Sequence, residues 1–527
     1  MPKVNTVTLS SVLDAREVTL PDFDKQYLDD VSFVTAMTLV MMGNYCQTGH
    51  FGGPLAYTPY TVASHLIGPE LGGLKYDYRR PKHPYSDKFM LAGGHNAPVT
   101  YALWMVLGEA LYQKHKNTGD KKYLADYSQT LLPIDCIGFR RSKEGMKTIL
   151  EQYGLVDHPA MAQAQVRGIR ALSGHSESTD ATNDVNGGPS GIGIATAAGK
   201  ATFWDIIGAS ESPKIMAVEG EFAMTSGHSQ EMKTQAVAQQ VGKRLRVLMS
   251  YNNAGIDDEL IGGVIQPQYE SYRIVDQWTS YGWNVFSVDD ANDMGQVVAA
   301  FKAMEDTDAS DRRPMILIGK TTKGWWPGAE NGQIPGYGNQ ITSFQSHPYT
   351  FAMNSEYFLA LAATFEDRFD VKFKGISDGP ISDEKERLIQ YKENIDVVMS
   401  VLDKNGLGDW VADRLVKIGG QVKDQIPTRI DTSIDPFTDE RLDYRTLPLE
   451  PQTVTVTNPV SGEQKNLEIK MFEEPGVPKG SRRAISEIVK WVNYVTDNRL
   501  VLAAADLADS INVEKGSIWG EFDPLTN

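Results

Sequence analysis

Two short apolar runs, separated by one amphipathic stretch, constrain this chain more than any other feature. KIMAV (214–218) leads into Glu219 and the motif VEGEF, and LRVLMSY (245–251) leads into YNNAGID. The stretch between them, HSQEMKTQAVAQQVGK, has helical spacing. Strand, helix and strand in this order make a crossover unit. Both strand ends then fall on one edge of a parallel sheet, where open sheets bind ligands. Glu219 and Asn252 are therefore expected to offer oxygens to one hard cation such as magnesium, completed by a backbone carbonyl and phosphate oxygens. Either segment alone reads as a polar loop; the expectation rests on the pair.

The alternation continues through WNVFSV (283–288), the helical ANDMGQVVAAFKAM and PMILIG (314–319). The expected fold class is α/β, a parallel sheet with helices on both faces, over residues 1–350. A helix-rich polar insertion is expected at about 115–170. Residues 351–479 read as a charged helical region followed by a linker rich in Pro, Thr and Asp, with one hairpin in TVTVTNPVSGEQKNLEIKM. From 480 to 527 a second α/β domain begins, with the helix AISEIVKWVNYV and a strand LVLAAA (500–505). One helix and one strand cannot close a core, so this piece is expected to need outside contacts.

Composition narrows the functional classes. Hydrophobic content of 41% and charged content of 23% over 527 residues suit a globular protein of two or three domains. No apolar run approaches a membrane span, and the first residues lack the basic and apolar stretches of a secretory signal. A cytoplasmic location is the expectation. The net charge of −17 disfavours nucleic acid or an anionic membrane as partner. Two cysteines, Cys46 and Cys136, provide neither a disulfide framework nor a cysteine metal site.

Four of the nine histidines follow a glycine: His50, His95, His175 and His228. Glycine lets a backbone pass close to a ligand, and imidazole supplies a proton shuttle near neutral pH. For any single pair, a turn glycine beside a helix-start histidine explains the pattern equally well. NGGPSGIGIATAAGKA (186–201) puts a glycine-rich turn before a helix, an arrangement able to cradle a diphosphate. It does not match the dinucleotide fingerprint.

Taken in order, these motifs resemble the transketolase family. TGHFGGPLA around His50 is similar to its SGHPGAPMG, and YSDKFMLAGGHNAP around His95 to its DRFILSNGHAS. SGHSES followed by GGPSGIG resembles its GH(P)-then-GPLGQG pair. VEGEF and YNNAGID stand where the family has its GDG…N thiamin-diphosphate motif, and SRRAISE…AADLADS is similar to the opening of its pyrimidine-binding domain. The resemblance implies a thiamin-diphosphate-binding fold that uses thiamin diphosphate with Mg2+ (or Ca2+ or Mn2+). His95, Gly188, Ser190 and Gly220 would join Glu219 and Asn252 in holding the cofactor, with Glu219, Asn252 and Ala254 on the metal. His50, His175 and His347 would act on protons at the sugar, and Arg483 and Ser510 on sugar phosphate. The implied reaction moves a two-carbon ketol unit from a ketose phosphate to an aldose phosphate.

Departures accompany the match. Glu219 stands for the family's metal-binding aspartate, and Asn253 competes with Asn252 as ligand. The family glutamate that bonds the cofactor's pyrimidine ring has no counterpart up to Asn527. A companion polypeptide completing the pyrimidine and C-terminal domains, within a homo- or hetero-oligomer, is therefore expected. Two other readings stay open: a thiamin-dependent 2-oxoacid dehydrogenase component, and a catalytically silent transketolase-like scaffold or regulatory subunit.

Overall fold

The structure is a computed structural model and describes residues 12–14 (backbone only), 20–21, 23–252, 274–327, 329, 355–378, 381–433, 435–502, 504 and 507–520. It divides into two compact units, one of Met1–Ala198, Pro213–Val237 and Gly242–Asp424, the other of Gly199–Ser212, Ala238–Val241 and Gln425–Asn527.

The first unit is built on a parallel sheet of six strands: β1 (Val12–Asp14), β2 (Lys88–Leu91), β3 (Ile215–Gly220), β4 (Leu245–Tyr251), β5 (Asn284–Val288) and β6 (Met315–Lys320). Their order is β1-β5-β6-β4-β3-β2. Strands β3 to β6 fall where the apolar runs predict them. They are nearly continuous hydrophobic runs because both faces are covered, as parallel sheets require. In register, Leu91 lies beside Val218, Gly220 beside Ser250, and Tyr251 beside Lys320. The carboxyl ends of β2, β3, β4 and β6 therefore form one continuous edge. β2 is a strand that the expectations above omit. Its KFML run is short, but it delivers the chain directly into the glycines before His95.

Helix α1 (Lys25–Cys46) is buried along most of its length, which explains why its sequence shows so little amphipathic contrast. It packs on α2 (Ala97–Thr118) and on two of the later helices, α6 (Glu356–Phe369) and α7 (Glu384–Met399). Phe33 of α1 meets Trp326, Phe365 and Phe369 at ring-centroid distances of 5.3, 5.3 and 5.4 Å. The segment read as a polar insertion is short-helical at its ends and apolar at its centre. Leu132, Ile134, Cys136, Ile137 and Phe139 are wholly buried. Between β2 and β3 lies α3 (Ile192–Ile206). Between β3 and β4 lies α4 (Gly227–Ala238), and between β5 and β6 lies α5 (Met294–Asp306).

The second unit holds the expected hairpin, β7 (Gln452–Thr457) with antiparallel β8 (Gln464–Ile469), and helix α8 (Ser481–Thr496). Asn458 Oδ1 accepts from the amides of Val460 and Ser461 at 2.8 Å, and Gly462 takes φ +74°, so the turn is set by local chemistry. Val454, Val456, Ile469, Met471, Trp491 and Ile518 make a small core. The strand expected at 500–505 does not form at residues 500–502 or 504. An apolar run becomes a strand only where another strand takes its backbone hydrogen bonds, and none among the described residues does so there.

Candidate functional site

Four loops leave the shared sheet edge and line one cavity of about 500 Å³. The loop after β2 contributes His95 and Asn96. The end of β3 contributes Glu219, Gly220 and Glu221, the end of β4 contributes Asn252, and the turn after β6 contributes Lys323. His50, Gly53, Tyr57, His175, Gly188 and Ser190 also line it.

The histidine motifs meet because their loops are stitched together. Ser176 N donates to Gly94 O and Gly187 N donates to Ser176 O, both at 2.9 Å. A β-carbon on Gly94 would sit 1.9 Å from Gly187 O, so only glycine permits this approach. The ring of His50 stands 5.6 Å from that of His95 and 5.9 Å from that of His175, centroid to centroid. Burial, with the charges of His175, Arg140 and Lys323 adding to it, pushes His50 down to about 4. Burial and Arg140 also lower His175. Both imidazoles are thus neutral near pH 7.

Glu219 is 1% exposed. Its Oε1 accepts from Gly220 N at 2.9 Å, while its Oε2 is buried with no hydrogen-bond partner among the described residues. Burial, reinforced by Glu221, pushes its carboxyl up to about 8, although the amides of Gly220 and Gly191 oppose the shift. A buried carboxylate with an oxygen left over is the donor expected beside a cation. Gly188 has open space where a side chain would stand, and α3 begins just after Gly191, which takes φ +85°. That turn fits the anion cradle expected from the sequence. No cluster of three or more His, Cys, Asp or Glu able to hold a metal occurs among the described residues. One carboxylate and one amide suffice where phosphate oxygens complete the shell, so Glu219, Asn252, Gly188 and Gly220 fit a metal-bound diphosphate.

Of the expected site residues, His50, His95, His175, Gly188, Ser190, Glu219, Gly220 and Asn252 line this one cavity. His347, Ala254 and Asn253 lie outside the described residues. Arg483 and Ser510 belong to the second unit and are exposed there; it is Arg482 whose Nη1 reaches Ser510 O, at 2.7 Å. Glu221, Lys323, Tyr57, Asn96 and Arg140 are additions. Glu221 lies within the VEGEF motif and Lys323 just past a strand end, so the strand-edge rule reaches both. Lys323 is buried, which brings its ammonium down to about 8 against the pull of Glu221. Asn96 follows His95 in the same loop; Tyr57, and Arg140 as a charge near His50 and His175, arrive through packing between separate segments.

Comparisons with known proteins agree with this geometry. Residues 150–359 match the family model described as transketolase, thiamine diphosphate binding domain. Transketolase 1 of Candida albicans is 25% identical over 308 residues, which cover 56% of this chain and 36% of that protein. The solved transketolase from Leishmania mexicana aligns with a TM-score of 0.53 at 16% identity, covering 94% of this chain and 58% of its own. That from Campylobacter jejuni gives a TM-score of 0.54 at 15% identity, covering 96% and 61%. A Pichia stipitis transketolase mutant in complex with fructose-6-phosphate gives 0.54 at 16%, covering 93% and 57%. At such identities the solved structures establish the fold. The chain spans about a third of the curated relative (36%) and about three fifths of the solved ones.

Proposed function

We propose that this chain belongs to the transketolase family, whose thiamine diphosphate binding domain residues 150–359 match, that it binds thiamin diphosphate through a divalent metal and that it serves ketol transfer between sugar phosphates. The observation that carries the reading is the convergence of His50, His95, His175 and the buried Glu219 on one cavity at four neighbouring strand ends.

Glu219 and Asn252 would hold the metal, with Gly188, Ser190, Gly220 and His95 about the diphosphate. When bound, thiamin diphosphate supplies the carbon nucleophile and electron sink on which a ketose carbon–carbon bond is broken. The chain's own part is to orient and to move protons. His50 and His175, kept neutral by burial and neighbouring positive charge, take the hydroxyl proton of the donor as its carbon–carbon bond breaks. They return a proton to the acceptor's carbonyl oxygen as the new bond forms. Lys323 adds a cation to the same wall. The proposal includes a companion polypeptide that supplies the carboxylate for the pyrimidine ring. Ile485 and Ile488 on α8, 49% and 43% exposed, support it as apolar surface such a partner would cover.

Calorimetric titration of thiamin diphosphate with magnesium tests the cofactor reading. Glu219→Ala should weaken binding at least tenfold, by loss of an anionic ligand, while Glu219→Asp retains most of it. Equal affinity in wild type and Glu219→Ala would remove Glu219 from the site.

A further inference from the structure

Asn96 stands immediately before helix α2, where an asparagine side chain ordinarily accepts from the first free amides of the helix. Here it makes no such cap. It is 1% exposed, it lines the cavity, and its Oδ1 has no hydrogen-bond partner among the described residues. The side chain engages its neighbour instead. Its Nδ2 donates to Gly93 O at 3.1 Å and stands 3.3 Å from His95 Nε2.

Two glycines make room for this arrangement. A β-carbon on Gly53 would lie 2.3 Å from Asn96 Oδ1, and one on Gly93 would lie 2.9 Å from Asn96 Nδ2 and 2.7 Å from Glu219 Oε1. The carboxamide is thus wedged between a glycine of the His50 motif and a glycine of its own loop, and the latter abuts the Glu219 carboxylate. The wedge also settles which end of the amide is which. Turned over, Oδ1 would face the carbonyl oxygen of Gly93, acceptor against acceptor. An amide nitrogen has hydrogens to give and no lone pair to accept with. His95 Nε2, facing it, therefore carries the lone pair, and the ring proton sits on Nδ1.

We propose that Asn96 is a positioning residue that holds His95 in the tautomer protonated on Nδ1, so that the histidine meets the diphosphate as an Nδ1–H donor. The identity of the anion rests on the thiamin-diphosphate reading, whereas the tautomer stands on the Asn96 geometry alone. The glycine before His95 lets the loop approach, and the asparagine after it decides which ring nitrogen acts.

The test is 15N spectroscopy of the full chain with labelled histidine, at pH 8 and without cofactor. Couplings between ring nitrogens and ring protons report the tautomer, and the signals lost in His95→Gln identify His95 among the nine histidines. Wild type should show Nδ1 protonated and Nε2 unprotonated. Asn96→Asp, alike in shape but an acceptor only, should move the proton to Nε2. Asn96→Leu, similar in shape and uncharged, should lose the Nδ1 preference. By calorimetry with magnesium it should also bind thiamin diphosphate roughly tenfold more weakly, the scale of one hydrogen bond to a charged group. Asn96→Asp supplies the tautomer test if Asn96→Leu does not fold. A proton on Nε2 in wild type, or a His95 pattern unchanged in either variant, overturns the proposal. So does Asn96→Leu with a shifted tautomer and undiminished cofactor affinity. Asn96-dependent protonation of Nδ1 in a chain that binds no thiamin diphosphate would sink the cofactor reading and leave the tautomer assignment standing.

Discussion

His65 and His175 show how little a histidine's identity says by itself. His65 lies at 1% exposure among Tyr76, Phe89 and Trp104. Its Nδ1 donates to Thr61 O at 2.7 Å and its Nε2 accepts from Trp104 Nε1 at 3.5 Å, so both ring nitrogens are satisfied in the neutral form. Burial brings it down to about 4 from an ordinary value of 6.5. The unfolded chain therefore takes up the proton first. The fold is unaffected at pH 7 and loses stability as pH falls from about 6.5 to about 4, by up to about 3 kcal/mol from this residue. Urea unfolding at pH 7, 5.5 and 4 should show a shallower acid loss for His65→Gln than for wild type; parallel losses would discount the core assignment. His175, by contrast, lines a cavity, and the glycine before it marks it in the sequence while nothing comparable precedes His65. Arg140 has no such mark. Its place depends on Phe139 packing against Phe51, a contact between segments almost ninety residues apart.

At the scale of elements, the sheet and its crossover helices were legible because burial on both faces leaves apolar runs bounded by polar loops. What holds the opposite ends of β3 and β4 was not legible. Arg246, at 1% exposure, pairs with Glu305 of α5 at 2.6 Å, and Lys214 stands 3.4 Å from the same oxygen. Burial alone would raise the Glu305 carboxyl, but Arg246 and Lys214 outweigh it and bring it down to about 2. A depressed carboxyl stabilises the fold above its unfolded value near 4.5, and that contribution disappears as pH falls toward 2. Glu305→Gln should cost on the order of 3 kcal/mol at pH 7 and little at pH 2, read by denaturant midpoints. The expected strand at 500–505 marks the limit of apolar patterning. A run of Leu, Val and Ala states that a segment is buried or partnered, while the pairing strand has to come from elsewhere.

For the whole molecule, the proposal predicts that ketol transfer requires a second polypeptide. Mass measurement and a transfer assay on the chain alone, then with its companion, should show association and activity only in the mixture. Robust transfer by the chain alone would mean that a carboxylate within these residues serves the pyrimidine ring. Among the described residues no helix is long and apolar enough to cross a membrane. The sequence by itself determined the β-α-β order and hence that Glu219 and Asn252 share an edge, because crossover handedness and strand polarity are properties of a local run of residues. The glycine before each marked His50, His95 and His175, but it marked His228 as well, whose Gly227 has open space around it and which does not line the cavity. Only the tertiary structure decided that the His95 and His175 turns close on each other and on the glycine-rich turn through Gly94, Ser176 and Gly187, that Glu219 keeps a buried oxygen without a partner among the described residues, and that Arg140 lies beside both Thr48 and Gly174. Such placements come from contacts between segments far apart in the chain, and no local pattern of residue types encodes a distance across a packed core.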